Sequence, residues 1–264
     1  MESPVSGGRE LRVVDLGRRE YREVLELQRA VARWRRATPP DHDLLLLVEH
    51  FPVITLGRGS EPGHLPADAA WLKNRGLDVV EIERGGDVTY HGPGQLVGYP
   101  ILDLRAHRMD LHWYLRRIEE VLLRVLAECG LPGFRVESYT GVWTGTAPAG
   151  AVVMVEDDGF GTVVSGHADP LLREGAIRKV ASIGVHASRW ITWHGFALNV
   201  TPEPLENFRG IVACGIRGVE MTSLASEGAP LTLEEAGEAV ARAFPVAFPG
   251  LTSLRAPEVA LRAR

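Results

Sequence analysis

Residues 84–100 combine glycine, proline and ionisable side chains in one short segment, RGGDVTYHGPGQLVGYP. Because glycine has no Cβ, its backbone can adopt positive φ and come close to a ligand. Arg84 and His91 flank the first glycines and could bind a polar group. The aliphatic and aromatic residues between them are typical of short strands, not of a flexible linker. The segment is therefore predicted to form a binding wall, although a hairpin with tight turns would give the same pattern.

Two further residues could take part in covalent chemistry. Cys214 follows a short apolar run and precedes Gly215, and Lys179 interrupts the apolar stretch 177–184. A thiolate is a strong nucleophile, and lysine is rarely buried without a partner. Taken alone, Cys214 could equally be an inert core residue and Lys179 an outward-facing residue at a strand start. Cys129 lies on the apolar stripe of a predicted helix and is interpreted as core.

Several classes of function are disfavoured. His186 and His194 could meet across adjacent strands, but a zinc site normally needs at least three protein ligands. The chain lacks the Walker and dinucleotide fingerprints and the Gly-x-Ser-x-Gly elbow of serine hydrolases. A net charge of −5 argues against nucleic-acid binding, and the longest apolar run, residues 44–48, is too short to span a bilayer. Only two cysteines are present, which favours a reducing cytosol.

Hydrophobic periodicity and turn signals predict the elements that must position these residues. Strands are expected at 11–16, 44–48, 51–56, 79–83, 134–143, 151–156, 160–164, 180–186 and 190–200. Helices are expected at 20–37, 68–75, 110–129 and 232–243. Asp110 and Thr232 are suitable N-caps, and Gly130 is a suitable residue after a helix end. Strands dominate the middle and helices flank them, so the fold class is α/β (α+β) with a mixed sheet.

Four segments, in this order, resemble the signature motifs of the lipoyl(octanoyl) transferase family. They are RGGDVTYHGPGQL at 84–96, KVASIG at 179–184, WHGFALNV at 193–200 and ACGI at 213–216. The resemblance implies a biotin/lipoate protein ligase-like catalytic domain, a mixed β-sheet flanked by helices. That single domain would span residues 11–245, between a flexible N-terminal tail (1–10) and a C-terminal tail (246–264).

The resemblance implies an acyltransferase of protein lipoylation. Such an enzyme moves an octanoyl (or lipoyl) group from octanoyl acyl carrier protein to a lysine of a lipoyl domain. The acceptors would be lipoyl domains of 2-oxoacid dehydrogenase complexes and the glycine cleavage H protein. Cys214 would carry the acyl thioester, and Lys179 would lower the pKa of its thiol. A cytoplasmic monomer without cofactor or metal is expected, with no binding to nucleic acid or membranes.

The resemblance also assigns a set of substrate-binding positions. They are Arg84, Gly85, Gly86, Asp87, Val88, Thr89, Tyr90, His91, Ser182, Ile183, Gly184, Gly195, Phe196 and Ala197. Backbone N–H groups near Gly92–Gly94 or Gly215 could stabilise an oxyanion. Tyr90, Val97 and Phe196 could line an apolar acyl tunnel, although core packing would explain each of them.

Two departures from the family pattern stand out. Residues 144–177 form a longer connection than usual, in which Arg173 or Arg178 could touch a carrier protein. Ala213 occupies the position where proline is expected before the cysteine, and this could loosen the turn.

Two alternatives remain open. An ATP-dependent lipoate or biotin protein ligase on the same fold would need a lysine but no cysteine nucleophile. A non-catalytic lipid- or carrier-binding protein would need neither Lys179 nor Cys214.

Overall fold

A computed structural model of the protein describes residues 8–146, 153–163, 177–216 and 218–255. The helices are α1 (Tyr21–Ala37), α2 (Ala69–Asn74), α3 (Leu111–Glu128), α4 (Leu205–Phe208) and α5 (Leu233–Ala247). The strands are β1 (Arg9–Arg19), β2 (His42–His50), β3 (Val53–Leu56), β4 (Asp78–Glu81), β5 (Thr89–His91), β6 (Gln95–Ile101), β7 (Phe134–Val136), β8 (Tyr139–Gly145), β9 (Val153–Val155), β10 (Gly161–Val163), β11 (Ile177–Ser188), β12 (Ile191–Asn199) and β13 (Leu251–Arg255).

Two sheets are formed within the described residues. The larger has ten strands in the order β13-β1-β2-β6-β12-β11-β8-β7-β10-β9, and the smaller has the order β4-β3-β5. β1 runs parallel to both β13 and β2, whereas β6, β12, β11 and β8 pair antiparallel with one another in turn. The predicted mixed β-sheet flanked by helices is confirmed.

Strand β2 shows why the sheet is covered on both faces. Side chains alternate along a strand, so Leu45 and Leu47 point to one side and Leu46 and Val48 to the other. The first pair belongs to the cluster that includes α3 and α5, and the second to the cluster that includes α1. All four are buried, as predicted for a continuous apolar run.

The predicted helix caps are present. The Asp110 carboxylate accepts hydrogen bonds from the N–H groups of His112 (3.0 Å) and Trp113 (3.1 Å). Thr232 forms a capping box with Glu235, in which each side chain accepts the other's backbone N–H. No helix in the described ranges is long and apolar enough to cross a membrane.

The structure differs from the sequence expectations at several element boundaries. The expected strand 134–143 is two strands, β7 and β8, because the chain turns at Ser138, which has φ of 67°. The chain beyond residue 245 was expected to be a tail, yet α5 continues to Ala247 and β13 pairs with β1. The apolar side chain of Leu251 joins the core there, which anchors the strand.

Some expectations fall on residues outside the described ranges. These include most of the expected tails, residues 1–7 and 256–264, and much of the 144–177 connection with Arg173. Arg178 is described, and its guanidinium pairs with Glu227 at 2.7 Å. Arg9 and Glu10, expected in the N-terminal tail, begin β1.

Candidate active site

A cavity of about 370 Å³ opens beside β11 and β12 and contains both Cys214 and Lys179 in its wall. The Gly-rich segment 84–91 forms another part of the wall, as do the start of α3 and the turn at 138–140. Apolar groups contribute most of the lining surface, which suits an acyl chain. Residues that are far apart in sequence therefore meet in one pocket.

Cys214 sits on a tight turn with a left-handed backbone. Its φ is 57° and its ψ is 21°, a conformation that costs a non-glycine residue roughly 1–2 kcal/mol. Three backbone bonds hold the turn. The N–H groups of Cys214, Gly215 and Ile216 donate to the carbonyls of Val88 (2.9 Å), Val212 (2.9 Å) and Ala213 (3.1 Å). These three bonds form with Ala213 in place of the expected proline.

A second segment, which the sequence did not single out, supports this turn. The His64 carbonyl accepts the N–H of Val212 at 2.8 Å, and the His64 Nδ1 atom bonds Asp87 Oδ2. Asp87 Oδ1 in turn accepts the N–H of Val88 at 2.6 Å. A Cβ at Gly215 would lie 2.4 Å from Asp87 Oδ2, so only glycine fits there.

No sequence signal beyond a histidine in a turn-rich stretch points to His64. Its role depends on contacts with Asp87, which is 23 residues later in the chain, and with the still more distant Val212. It is therefore a positioning residue that only the folded structure reveals.

Lys179 is only 1% exposed, so the outward-facing interpretation of this residue is wrong. Its Nζ atom donates to the Thr140 carbonyl at 2.9 Å and lies 5.0 Å from the centre of the Trp143 ring. An irregularity in the pairing of β11 with β8 lies between Lys179 and Ala181. The ammonium is held by a carbonyl and an aromatic face while it lines the cavity that Cys214 shares.

The surroundings of Cys214 favour its thiolate. Burial raises the pKa of the thiol, but the Lys179 ammonium lowers it, and so do a bond from Ser182 and the charge of Arg84. Ser182 Oγ lies 3.5 Å from Cys214 Sγ. The net result is a pKa below the usual value of a cysteine thiol. A half-buried thiol with this property is a competent nucleophile.

Arg84 is buried beneath the glycines of the wall. Its Nη2 atom donates to the carbonyl of Thr55 at 2.9 Å and to its hydroxyl at 2.8 Å, and Nη1 donates to the Gly85 carbonyl at 3.1 Å. Within the described residues it has no carboxylate in ion-pair contact. Its positive charge therefore acts on the cavity and on Cys214.

An aromatic and histidine cluster lies beside the cavity. The His91 ring stacks on Tyr21 with centroids 5.7 Å apart and packs edge-on against His50. Burial lowers the pKa of His91 to about 3 and that of His50 to about 4, so both rings are neutral at pH 7. His91 Nδ1 bonds Gln95 Oε1 at 2.7 Å.

Most residues that the family resemblance assigned to substrate binding line the cavity. They are Arg84, Gly85, Gly86, Asp87, Thr89, His91, Ser182, Ile183, Gly184, Gly195, Phe196 and Ala197. Val88 and Tyr90 do not; Val88 contributes its carbonyl to the Cys214 turn, and Tyr90 packs against Phe208. Of the expected tunnel residues, Val97 and Phe196 are in the lining.

Two of the expected oxyanion donors, the N–H groups of Gly94 and Gly215, are already engaged. The Gly94 N–H donates to Glu49 Oε1 at 2.9 Å, and the Gly215 N–H donates to the Val212 carbonyl.

Cys129, interpreted as core, is a half-buried residue at the end of α3. Among the residues that the structure describes, no group of three or more His, Cys, Asp or Glu could hold a metal ion.

A cysteine with a lowered thiol pKa and a buried lysine line one cavity with a glycine-rich wall, an arrangement that can support acyl transfer. Residues 20–245 match the lipoyl protein ligase A/B catalytic domain family, and the chain belongs to this family. Its sequence is similar to octanoyltransferases. The enzyme of Synechococcus elongatus is 44% identical over 236 residues, which are 89% of this chain and 86% of the relative.

Other relatives support the same grouping. The octanoyltransferase of Koribacter versatilis is 42% identical over 90% of this chain and 84% of its own. That of a Nostoc species is 45% identical over 84% of each chain. The family resemblance predicted from the four motifs is confirmed.

Solved structures show the same fold at low sequence identity. A bipartite lipoate protein ligase from Thermoplasma acidophilum matches with a TM-score of 0.65 and 15% identity, over 95% of this chain and 86% of its own. Lipoate-protein ligase A bound with ATP matches with a TM-score of 0.63 and 14% identity, over 95% and 88%. The expected ligase-like fold is confirmed.

Proposed function

We propose that this protein is an octanoyltransferase that moves an octanoyl (or lipoyl) group from acyl carrier protein to a lysine of a lipoyl domain. Cys214 carries the acyl group as a thioester between the two half-reactions. The observation that carries this proposal is that Cys214 and the buried Lys179 line one cavity, where the lysine charge lowers the pKa of the thiol. The acceptors are lipoyl domains of 2-oxoacid dehydrogenase complexes and the glycine cleavage H protein.

In the first half-reaction the Cys214 thiolate attacks the carbonyl carbon of the donor thioester. A new C–S bond forms, the donor C–S bond breaks, and the donor thiolate takes a proton from the Lys179 ammonium. An unperturbed thiol with a pKa of about 8.5 would be only about 3% thiolate at pH 7. The cation beside Cys214 therefore raises the fraction of reactive enzyme.

In the second half-reaction the acceptor lysine amine attacks the acyl-cysteine. The amide C–N bond forms, Cys214 leaves as a thiolate, and the amine loses one proton. Lys179, neutral after the first half-reaction, is positioned to accept that proton. This restores the original thiolate and ammonium pair, so both half-reactions use one lysine without a cofactor.

The cytoplasm is the compartment that suits this chemistry. The reaction needs a free thiol, and neither Cys129 nor Cys214 forms a disulfide. A reducing environment keeps such thiols available.

The rival function is that of an ATP-dependent ligase, because the structural neighbours include lipoate protein ligases. A ligase activates a free acid as an adenylate and needs no nucleophilic cysteine. The activated Cys214 favours the transferase. A simple carrier-binding protein would have no use for a lowered thiol pKa.

Intact-mass measurement tests the proposal. The protein is mixed with octanoyl acyl carrier protein and weighed, and the same is done for Cys214→Ala and for Cys129→Ala. We expect one added octanoyl group on the native protein and on Cys129→Ala, and none on Cys214→Ala. Acylation of a lipoyl domain that requires octanoate and ATP, with no adduct from the carrier thioester, would show a ligase instead.

A further inference from the structure

Most arginines of the described residues are neutralised by a carboxylate. Exposed examples on different parts of the surface are Arg12 with Glu10, Arg22 with Asp78 and Arg242 with Glu128. Surface guanidinium groups in such pairs contribute little net field to a partner. Arginines without a carboxylate partner are therefore the notable ones.

Arg84, buried in the cavity wall, and Arg19, Arg33 and Arg209 form no ion pair with any described residue. The same is true of Arg36, Arg58 and Arg189, which lie beside the end of β11, and we call these three the arginine strip. Arg58 and Arg189 are exposed, and Arg36 is half-buried. Arg36 Nη1 donates to the Ser188 hydroxyl at 3.1 Å, which places it beside the turn that follows β11. Arg189 is the next residue of that turn.

Arg58 lies on a loop that packs against the glycine-rich wall of the cavity. The N–H of Arg58 donates to the Arg84 carbonyl at 3.0 Å, and that of Gly59 donates to the Gly86 carbonyl at 3.0 Å. Gly85 and Gly86 line the cavity, so the loop that carries Arg58 is in direct contact with part of its wall. Burial is the main cause that lowers the pKa of His186, and the nearby charge of Arg58 lowers it further.

Strand β11 connects the two ends of the strip. Val185 lines the cavity, and the Gly85 N–H donates to its carbonyl at 2.9 Å. The strand then continues past His186 to Ser188, where Arg36 is bonded. Glu83, whose backbone carbonyl bonds the His186 ring, has its carboxylate held by Arg29 and by the Trp193 indole. The positive charge of the strip is thus left for a partner.

We propose that the arginine strip is the docking surface for the acyl carrier donor. The proposal rests on the proposed function and names the surface that its first half-reaction uses. Carrier proteins are acidic, and the phosphodiester of their prosthetic arm must remain outside the cavity when the thioester reaches Cys214. Guanidinium groups bind such oxyanions well.

The net charge of the chain also favours the acyl carrier donor as the partner of the arginine strip. A net charge of −5 gives the chain an overall repulsion towards an acidic partner, so positive groups beside the cavity wall would steer that partner to them. Trp190, 37% exposed and next to Arg189, provides an aromatic contact of the kind that anchors interfaces.

The test compares two triple variants with the same change in net charge. One reverses the strip (Arg36→Glu, Arg58→Glu, Arg189→Glu), and the matched control reverses the three ion-paired arginines (Arg12→Glu, Arg22→Glu, Arg242→Glu). We expect the strip variant to raise KM for octanoyl acyl carrier protein about tenfold at low ionic strength, and less at high salt. The control should stay near the native value.

Two further measurements separate this proposal from the proposed function. A small octanoyl thioester should acylate Cys214 equally fast in native protein and both triple variants, and KM for the lipoyl domain should not change. Equal donor KM in the two triple variants would overturn the docking surface, and a rise in acceptor KM alone would assign it to the acceptor. No adduct from either donor on native protein would overturn the thioester route itself.

Discussion

The Lys179 Nζ atom donates a hydrogen bond to the Thr140 carbonyl at 2.9 Å, and this bond fixes the cation at the wall that Cys214 shares. The Trp143 ring lies on another side of the ammonium. A carbonyl and an aromatic face attract a cation without neutralising it. The positive charge of Lys179 therefore remains available to stabilise the thiolate.

Replacement of Lys179 by methionine should raise the pKa of the Cys214 thiol, because the largest influence that lowers it is lost. Burial, which raises the pKa, would then dominate. We expect the midpoint of iodoacetamide alkylation against pH to move upward and acyl transfer to fall by about 10²-fold or more. The other lysine of the chain, the exposed Lys73, provides the control. An unchanged alkylation profile in Lys179→Met would contradict the role of the cation.

Gly141 should be as important for activity as Cys214 and Lys179, although it takes no direct part in the chemistry. A Cβ at this position would lie 2.6 Å from Lys179 Cε and 2.7 Å from the Ala181 carbonyl. Gly141→Ala must therefore displace the lysine, and we expect transfer to fall roughly 100-fold because displaced catalytic groups lose that much.

The matched control for that variant is Gly130→Ala. Gly130 also has positive φ, but no other atom lies within 4 Å of a Cβ placed there. It should cost about 1 kcal/mol of stability and leave the turnover number unchanged. Equal turnover in the two alanine variants would show that the packing around Lys179 is not needed.

The identity of the chemical groups was predictable from the sequence, but their arrangement was not. The motifs containing Lys179 and Cys214 are local, so a single sequence reveals them. The burial of Lys179 depends on the pairing of β11 with β8, which is irregular beside this residue and which no local pattern encodes. Tyr90 fits an acyl tunnel by type, yet it packs on Phe208 because α4 covers that side.

The boundaries of the fold show the same limit. Periodicity predicts α3 and its Asp110 cap because both depend on neighbouring residues. Strand β13 depends on a parallel partner, β1, more than 230 residues earlier, so the stretch after residue 245 looks like a tail in isolation. The pairing of strands that are far apart in the chain cannot be predicted from the local sequence pattern.

His64 should affect turnover without altering substrate affinity. Its ring bonds Asp87, and its carbonyl holds Val212, so it supports the strained turn of Cys214. In His64→Ala we expect kcat to fall about tenfold with KM for the carrier unchanged, because a misplaced nucleophile slows attack and not binding.

The exposed His112 on α3 provides the control for that variant. His112→Ala should leave kcat and KM unchanged. A loss of turnover in His64→Ala could also arise because the variant is partly unfolded at the assay temperature. Turnover that returns at low temperature would indicate this, so the unfolding midpoint of each variant is measured with the kinetics. A tenfold rise in KM with normal kcat would contradict the positioning role.

The buried histidines should make the protein lose stability in mild acid. His50 and His91 have folded-state pKa values lowered to about 4 and about 3, whereas in the unfolded chain each titrates near 6.5. Between these values the unfolded chain binds more protons, so the free energy of unfolding falls as pH drops from about 6.5 towards 4. Each histidine can contribute a slope of up to about 1.4 kcal/mol per pH unit.

Urea unfolding at pH 7, 6 and 5 measures this slope. His50→Gln should flatten it, since the variant has one fewer buried ring to protonate on unfolding, even if it is less stable at pH 7 through loss of the 2.7 Å bond to Tyr99. The comparison of slopes is therefore independent of the overall loss of stability. A native free energy of unfolding that stays constant between pH 7 and pH 5 would contradict the neutral, buried state of these rings.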